Sequence, residues 1–323
     1  MSNPKPPALS LVIPLFNRPE LITTTIQSIR DQAEQDWECI VVDDGSTDDS
    51  REIVAEIAEA DSRVQLFKRP QSIANGPGSC RNYGLEKAGG RWVWFLDSDD
   101  CLAENALVNV FRHVDDDPID CMVGMYDYLD QSELKRNPKC WTFDPAKAYT
   151  RHVTQACPLQ TSMPLWRRSF LLEQGEKVWD PEVLYNEDYE LYARLLARKP
   201  EIQVIDSVLF HYRVHDEARS VTLSCKHLDD ESLNQIRYSK LDARLRVLEH
   251  CNSLAETESE KQALVQLRCR VLLQIIRDNR FIETGQLVDR FRQLLQEPGP
   301  SRSALSSLLL PLVLKTRRGL RFI

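Results

Sequence analysis

Residues 91–100 read Arg91-Trp92-Val93-Trp94-Phe95-Leu96-Asp97-Ser98-Asp99-Asp100, an apolar run that ends abruptly in three carboxylates. The large apolar side chains from Trp92 to Leu96 suit a central strand covered on both faces, and Gly89-Gly90 closes the helix before it. The carboxylates then stand at the strand's C-terminal end, where open α/β sheets bind ligands. Asp97 and Asp99, spaced Asp-x-Asp at such a turn, can hold a hard divalent cation through oxygen. A cation of this kind keeps waters and bridges substrate phosphates. Taken alone, the same residues also suit an acidic turn capping the next helix, since Ser and Asp favour turns and helix starts.

Working towards the N-terminus, residues 8–15 form a first strand, and Phe16-Asn17-Arg18-Pro19 turns the chain into a helix with proline near its first position. Ile22, Ile26, Ile29 and Ala33 recur at helical spacing and predict one buried face. Glu38-Cys39-Ile40-Val41-Val42 is a second strand, ending in Asp43-Asp44-Gly45. Strand, helix, strand at this length is a βαβ unit and implies parallel pairing. Ser46-Thr47-Asp48-Asp49 has the pattern of a helix N-cap, the next helix runs to about Glu59 with Val54 and Ile57 inward, and Val64–Phe67 is a third strand. The stretch from Asn75 to Gly84 is a glycine-bearing loop opening a helix, where Arg81 adds a fixed positive charge to an anion-favouring terminus. It matches neither a P-loop nor a dinucleotide fingerprint, and an ordinary capped loop reads the same way.

Towards the C-terminus, a helix with Leu107, Val110, Phe111 and Val114 inward precedes a strand from Cys121 to Tyr126. Residues 129–160 carry little periodicity and predict a partly irregular segment. Asn186 is a candidate N-cap for a helix whose first turn holds Glu187 and Asp188 and whose inner face holds Leu191, Tyr192, Leu195 and Leu196. Residues 202–208 are strand-like, and His211 and His215 beyond them lack the third ligand that a zinc site requires. Past about residue 228 the pattern is helical, with one stripe at Leu264, Leu267, Val271 and Ile275 and another at Leu287, Phe291, Leu294 and Leu295.

The chain has 323 residues, 42% of them apolar, enough for a sizeable core. A net charge of −8 argues against general nucleic-acid binding. The nine cysteines form no C-x-x-C pair and their number is odd, which reads as reduced thiols in a cytosolic protein. The first residues have no apolar signal core, and no apolar run reaches the roughly 18 residues of a membrane span.

In their order along the chain, these pieces resemble a family 2 glycosyltransferase. The resemblance covers roughly residues 8–220 and rests on Val12-Ile13-Pro14-Leu15-Phe16-Asn17, Val42-Asp43-Asp44-Gly45-Ser46-Thr47-Asp48, Asn75-Gly76 with Arg81-Asn82, Leu96–Asp100, Asn186-Glu187-Asp188 and Tyr212-Arg213-x-His215. Each motif is modest alone; their ordered conjunction is specific. It implies a GT-A, Rossmann-like α/β fold with a mostly parallel central sheet flanked by helices and a C-terminal helical extension. The implied division is a transferase domain over residues 1–223, with a nucleotide-binding half at about 8–127 and an acceptor half at about 128–223, then helices over 224–300 and a basic tail over 301–323.

The resemblance also implies roles. Asp44 contacts the nucleotide base, and Asp99 is the direct ligand of Mn²⁺ or Mg²⁺, with Asp97 nearer the ribose or a metal-bound water. Asp188 is the catalytic base, Arg81 and His215 neighbour the diphosphate, and Pro14, Asn17 and Ser98 complete the nucleotide-sugar site. The implied partners are a nucleotide-sugar donor, UDP-linked by default, and a glycan or lipid-linked acceptor, in surface polysaccharide or glycoconjugate synthesis. The residue types suit that chemistry: a dication neutralises the leaving diphosphate, and one carboxylate takes the acceptor proton in a single inverting displacement. Asp188, at a helix N-terminus, should be ionised at neutral pH. A sugar nucleotidyltransferase would use similar acidic ligands, but its glycine-rich N-terminal signature is absent; an inactive, scaffold-like relative would not need Asp44, Asp97, Asp99 and Asp188 together.

In the tail, Ala304–Leu314 is apolar and Lys315-Thr316-Arg317-Arg318-Gly319-Leu320-Arg321 is basic. Two arrangements fit: docking on the helical bundle or as a homo-oligomer contact, and peripheral binding in the headgroup region at the inner face of a membrane.

Overall fold

The computed structural model describes residues 6–130, 133–138, 140–175, 177–215, 230–251 and 254–278. In chain order the first half comprises β1 (Leu9–Leu15), α1 (Pro19–Arg30), β2 (Trp37–Asp43), α2 (Ser50–Ala60), β3 (Val64–Lys68), α3 (Pro77–Lys87) and β4 (Trp92–Phe95). The second half comprises β5 (Cys101–Leu102), α4 (Ala106–Phe111), β6 (Cys121–Asp130), β7 (Glu133–Arg136), α5 (Ala148–Val153), β8 (Pro164–Arg167), α6 (Arg168–Leu172), α7 (Glu187–Ala197) and β9 (Ile202–Val214). Two longer helices follow, α8 (Asp230–Cys251) and α9 (Glu258–Asp278).

One nine-stranded sheet runs in the order β3-β2-β1-β4-β8-β6-β9-β5, with β7 as a hairpin arm on β6. It is parallel across β3-β2-β1-β4. Beyond β4 the pairing is mixed: β8 runs antiparallel to both neighbours, and β9 parallel to β6. Between β6 and β8 lie the hairpin strand β7, two 3-10 turns and the short helix α5, and β8 enters antiparallel. β1 and β4 lie in the interior of the sheet, which explains their unbroken apolar sequence: every residue of β4 is buried. Their C-terminal ends and that of β2 lie at one edge, where the Asp44 N–H donates to Leu15 O at 2.8 Å and the Leu96 N–H to Val12 O at 3.1 Å.

Close packing seats α3 on this sheet. A Cβ at Gly84 would come within 2.4 Å of Val12 Cγ1, so only glycine lets the helix carrying Arg81 lie so near β1.

Ile22, Ile26 and Ile29 are buried as the spacing predicts, but α1 ends at Arg30 and Ala33 is exposed. Gln32 is buried instead, because its amide bridges helices: Nε2 donates to Ser28 O and Ala103 O, and Oε1 accepts from Leu107 N. The cap expected at Ser46–Asp49 does not form; Asp49 precedes α2 without a side-chain cap bond. The hydroxyls there join two loops, Ser46 Oγ accepting from Asn17 N at 3.1 Å and Ser50 Oγ from Arg18 N at 2.7 Å. The segment read as irregular contains the outer end of β6, the exposed strand β7, two 3-10 turns and α5.

Leu264, Leu267 and Val271 of α9 are buried in the same core as Leu241, Leu245 and Leu248 of α8 and the inner face of α7. The second predicted stripe at 287–295 and the basic tail at 301–323 lie outside the described residues. Among the described residues no helix is long and apolar enough to cross a membrane.

Candidate active site

The C-terminal ends of β1, β2 and β4, the start of α3, the start of α7 and the far end of β9 surround a cavity of about 430 Å³. Of the residues selected from the sequence, Pro14, Asp44, Arg81, Asp97, Ser98, Asp99 and Asp188 line it. Asn17 serves the wall behind: in a left-handed conformation (φ 48°), its Oδ1 accepts from Thr47 N at 2.8 Å. His215 reaches the site through Asp99, with Nε2 3.1 Å from Oδ2.

The two acids of the Asp-Asp-Gly turn separate by burial. Asp43 is buried and closes the turn, accepting from Ser46 N at 2.9 Å. Asp44 faces the cavity, where Oδ2 accepts from Gly76 N at 2.8 Å and Oδ1 pairs with Arg69 Nε. Gly76 adopts φ 123°, a backbone conformation that side-chain-bearing residues rarely take, and so delivers its N–H to Asp44.

The turn after β4 divides its acids in the same way. Asp100 points inward, 2% exposed, where Oδ2 accepts from Ser162 Oγ at 2.7 Å and Oδ1 from Arg213 N at 3.3 Å. Burial, with Asp99 and Asp97 nearby, pushes the Asp100 carboxyl well above the usual carboxylate range. Asp97 and Asp99 face the cavity with a cation each. Arg81 Nη2 donates to Asp97 Oδ1 at 2.6 Å, and Arg18 Nη1 lies 2.8 Å from Asp99 Oδ2. Burial raises the pKa of Asp97 despite Arg81, with Asp99 adding to the rise. At Asp99 burial also acts upward, but the His215 hydrogen bond and the Arg18 charge outweigh it and hold the carboxyl below its ordinary value.

Arg81 is buried, with its guanidinium 4.4 Å from the centre of the Trp179 ring and Nη1 3.7 Å from Glu187 Oε1. Among the described residues its Nε and Nη1 have no hydrogen-bond acceptor. A buried guanidinium with unmatched N–H groups at a cavity wall suits an anion with several acceptor oxygens.

Asp188 departs from the sequence expectation. It lies in the first turn of α7 and accepts from Tyr189 N at 2.7 Å, yet burial first and the adjacent Glu187 second push its pKa up to about 7. The helix N-terminus and that hydrogen bond do not compensate, so the group is poised between acid and base at neutral pH. Asn186 precedes the helix as predicted, but in a left-handed conformation without a side-chain cap bond. His211 and His215 sit on an extended segment, where four residues span about 13 Å, so they form no chelating pair.

Sequence reasoning gave no site role to several lining residues: Arg18, Tyr185 and Gln160, and also Tyr212 and Phe16, which it quoted only within motifs; Phe16 is 53% exposed. Arg18 adjoins the quoted motif residue Asn17, whereas Gln160 sits in the segment without periodicity. Among the described residues no group of three or more His, Cys, Asp or Glu side chains forms a metal cage. Two carboxylates on one cavity nevertheless fit a hard cation that takes its remaining ligands from water and substrate phosphate.

A family model described as glycosyl transferase family 2 matches residues 10–174. An uncharacterized glycosyltransferase of Haemophilus influenzae is 44% identical over 101 residues, which are 31% of this chain and 40% of the relative. The GalNAc(5)-diNAcBac-PP-undecaprenol beta-1,3-glucosyltransferase of Campylobacter jejuni is 40% identical over 106 residues, 33% of this chain and 34% of the relative. The matched stretches thus span well under half of either relative's own length.

Among solved structures, TarS 1-349 of S. aureus superposes with a TM-score of 0.65 at 18% identity, covering 96% of this chain and 86% of that one. Its complex with UDP-GlcNAc gives a TM-score of 0.55 at 17% identity over 88% and 90% of the two chains. The mannosyltransferase PcManGT from Pyrobaculum calidifontis, in complex with GDP-Man and Mn²⁺, gives 0.56 at 14% identity over 97% and 87%. At these identities the likeness is one of fold, and the neighbours are glycosyltransferases of the GT-A type. With the family model spanning more than half of its 323 residues, the chain belongs to glycosyl transferase family 2.

Proposed function

We propose that the protein moves a sugar from a UDP-linked donor to a hydroxyl of a glycan or lipid-linked acceptor, with inversion at the anomeric carbon and Asp188 as the base. The observation that carries this reading is that one cavity is lined both by a carboxylate with a pKa near 7 and by a cluster of Asp97, Asp99 and the unsatisfied Arg81 guanidinium. A carboxylate so poised takes a proton from an attacking hydroxyl more effectively than one of ordinary acidity, because its basicity is matched to neutral pH. One such base suits direct attack by the acceptor oxygen, with no second carboxylate required as a nucleophile.

Asp44 receives the base, with Phe16 as an exposed ring on the same cavity for stacking. Arg81 donates to the diphosphate, and Asp97 and Asp99 hold Mn²⁺ or Mg²⁺. A dication bound there supplies charge neutralisation for the leaving diphosphate without proton transfer. Arg81 keeps Asp97 oriented, and Ser162 fixes the turn from below by accepting from Asp97 N at 3.2 Å while donating to Asp100.

The UDP-GlcNAc complex of TarS supports the choice of nucleotide, and the Mn²⁺ complex of PcManGT supports the cation. The undecaprenol-linked substrate named for the Campylobacter relative supports a lipid-linked glycan acceptor. Incubation with UDP-sugars, Mn²⁺ and lipid-linked or soluble glycans tests the reading. Metal-dependent release of UDP with a product of inverted configuration is the expected result. Release of pyrophosphate, or retention of configuration, contradicts it.

A further inference from the structure

We propose that Arg18 is a built-in rival for the cation position at Asp99, so that nucleotide and divalent cation bind to this chain as a linked pair rather than independently. This rests on the reading of Asp99 as a cation ligand given above. Asp99 Oδ2 has two nitrogen neighbours, Arg18 Nη1 at 2.8 Å and His215 Nε2 at 3.1 Å, and these lie 3.1 Å from each other. A guanidinium is always charged, so this oxygen already faces one full positive charge. Cation–oxygen bonds of about 2.1 Å draw a dication close to Asp99, where it meets a guanidinium nitrogen bonded to the same oxygen. Two cations on one oxygen repel, and Arg18 must leave for the dication to bind well.

The two arginines of the site differ in their freedom to do so. The Arg81 side chain is 4% exposed, lies against Trp179 and stays with Asp97. The Arg18 side chain is 18% exposed and lines the cavity, while its backbone, just before α1, is held by the hydrogen bond from Arg18 N to Ser50 Oγ at the start of α2. Its side chain is thus the less confined of the two. The acceptor that draws it from Asp99 is the diphosphate of the donor, whose oxygens suit a guanidinium better than one shared carboxylate oxygen. Nucleotide binding thus frees Asp99 for the cation, and by linkage the cation strengthens nucleotide binding by the same factor.

The test is Mn²⁺ titration of the full chain, read as free Mn²⁺ by electron paramagnetic resonance, with and without UDP. Wild type is compared with Arg18→Gln and Arg18→Met, and with Arg18→Lys as the charge-retaining control. Without nucleotide, Arg18→Gln and Arg18→Met should bind Mn²⁺ about tenfold more tightly than wild type, and Arg18→Lys should resemble wild type. UDP should tighten Mn²⁺ binding more in wild type than in Arg18→Gln; comparing that ratio between proteins cancels chelation of Mn²⁺ by UDP itself. Equal or weaker Mn²⁺ binding by both neutral variants overturns the role of Arg18 while leaving Asp99 as a ligand. Absence of Mn²⁺ binding in every protein, with or without UDP, overturns the cation reading of Asp99 and this proposal with it. The two neutral replacements differ in shape and polarity, so a folding defect peculiar to one leaves the other to decide.

Discussion

Ser162 Oγ donates to Asp100 Oδ2 at 2.7 Å and also accepts from Asp97 N at 3.2 Å, so one hydroxyl on the approach to β8 holds both ends of the acidic turn that follows β4. Ser162 is 1% exposed, and water cannot replace it there without rearrangement. Ser162→Ala should therefore lower stability by about 1–3 kcal/mol, the cost of leaving buried polar groups without a partner. Urea unfolding measures it. An unchanged midpoint would show that the turn does not depend on this hydroxyl.

Asp188 should make stability fall as pH rises. Its folded pKa, about 7, lies above the ordinary Asp value, so the unfolded chain gives up this proton first. Relative to Asp188→Asn, wild type should be equally stable near pH 4, lose ground between about pH 4 and 7, and run parallel above that. The full shift sets an upper limit near 4 kcal/mol; partial exposure reduces the expected difference at pH 8 to roughly 2 kcal/mol. Thermal melts of both proteins across that range check the direction, and a wild type that gains on the variant with rising pH contradicts it.

Asp99→Ala should abolish metal-dependent turnover and leave the fold intact. The side chain is 19% exposed and fills no part of the core, so losing its pairs with Arg18 and His215 costs about 0–1 kcal/mol. Normal turnover with a normal response to Mn²⁺ in the variant would remove Asp99 from the site.

Gly84→Ala should destabilise the protein by about 1–3 kcal/mol, because the new methyl meets Val12 Cγ1 at 2.4 Å and α3 must move from β1. Since α3 carries Arg81, UDP affinity should fall as well. Calorimetric binding separates this from a local effect on stability alone.

The parallel half of the sheet was legible in the sequence because β1, β2 and β4 are buried on both faces, and that burial writes unbroken apolar runs. The exposed arm β7 and the two-residue strand β5 bury too little to leave a pattern. Ala33 misled because the helical period continues past the residue where the helix stops, while the inward residue, Gln32, earns burial through three hydrogen bonds that no hydropathy pattern announces. In the site, Asp44, Asp97, Asp99 and Asp188 do share one cavity. The inward turn of Asp100 and the raised pKa of Asp188 were not legible, since both come from packing between segments far apart in the chain.

The central claim, that Asp188 is the base of an otherwise complete transferase site, is tested most directly by pairing donor binding with single-turnover transfer in wild type and Asp188→Asn. Wild type should release UDP from a bound UDP-sugar at a rate that rises with pH to a plateau, with its midpoint near the value of about 7 in the free protein. Asp188→Asn should bind the donor within about twofold of wild type and transfer nothing, because the amide keeps the shape and loses the basic oxygen. Transfer by Asp188→Asn at the wild-type rate, or a wild-type profile flat from about pH 5 to 9, would contradict it.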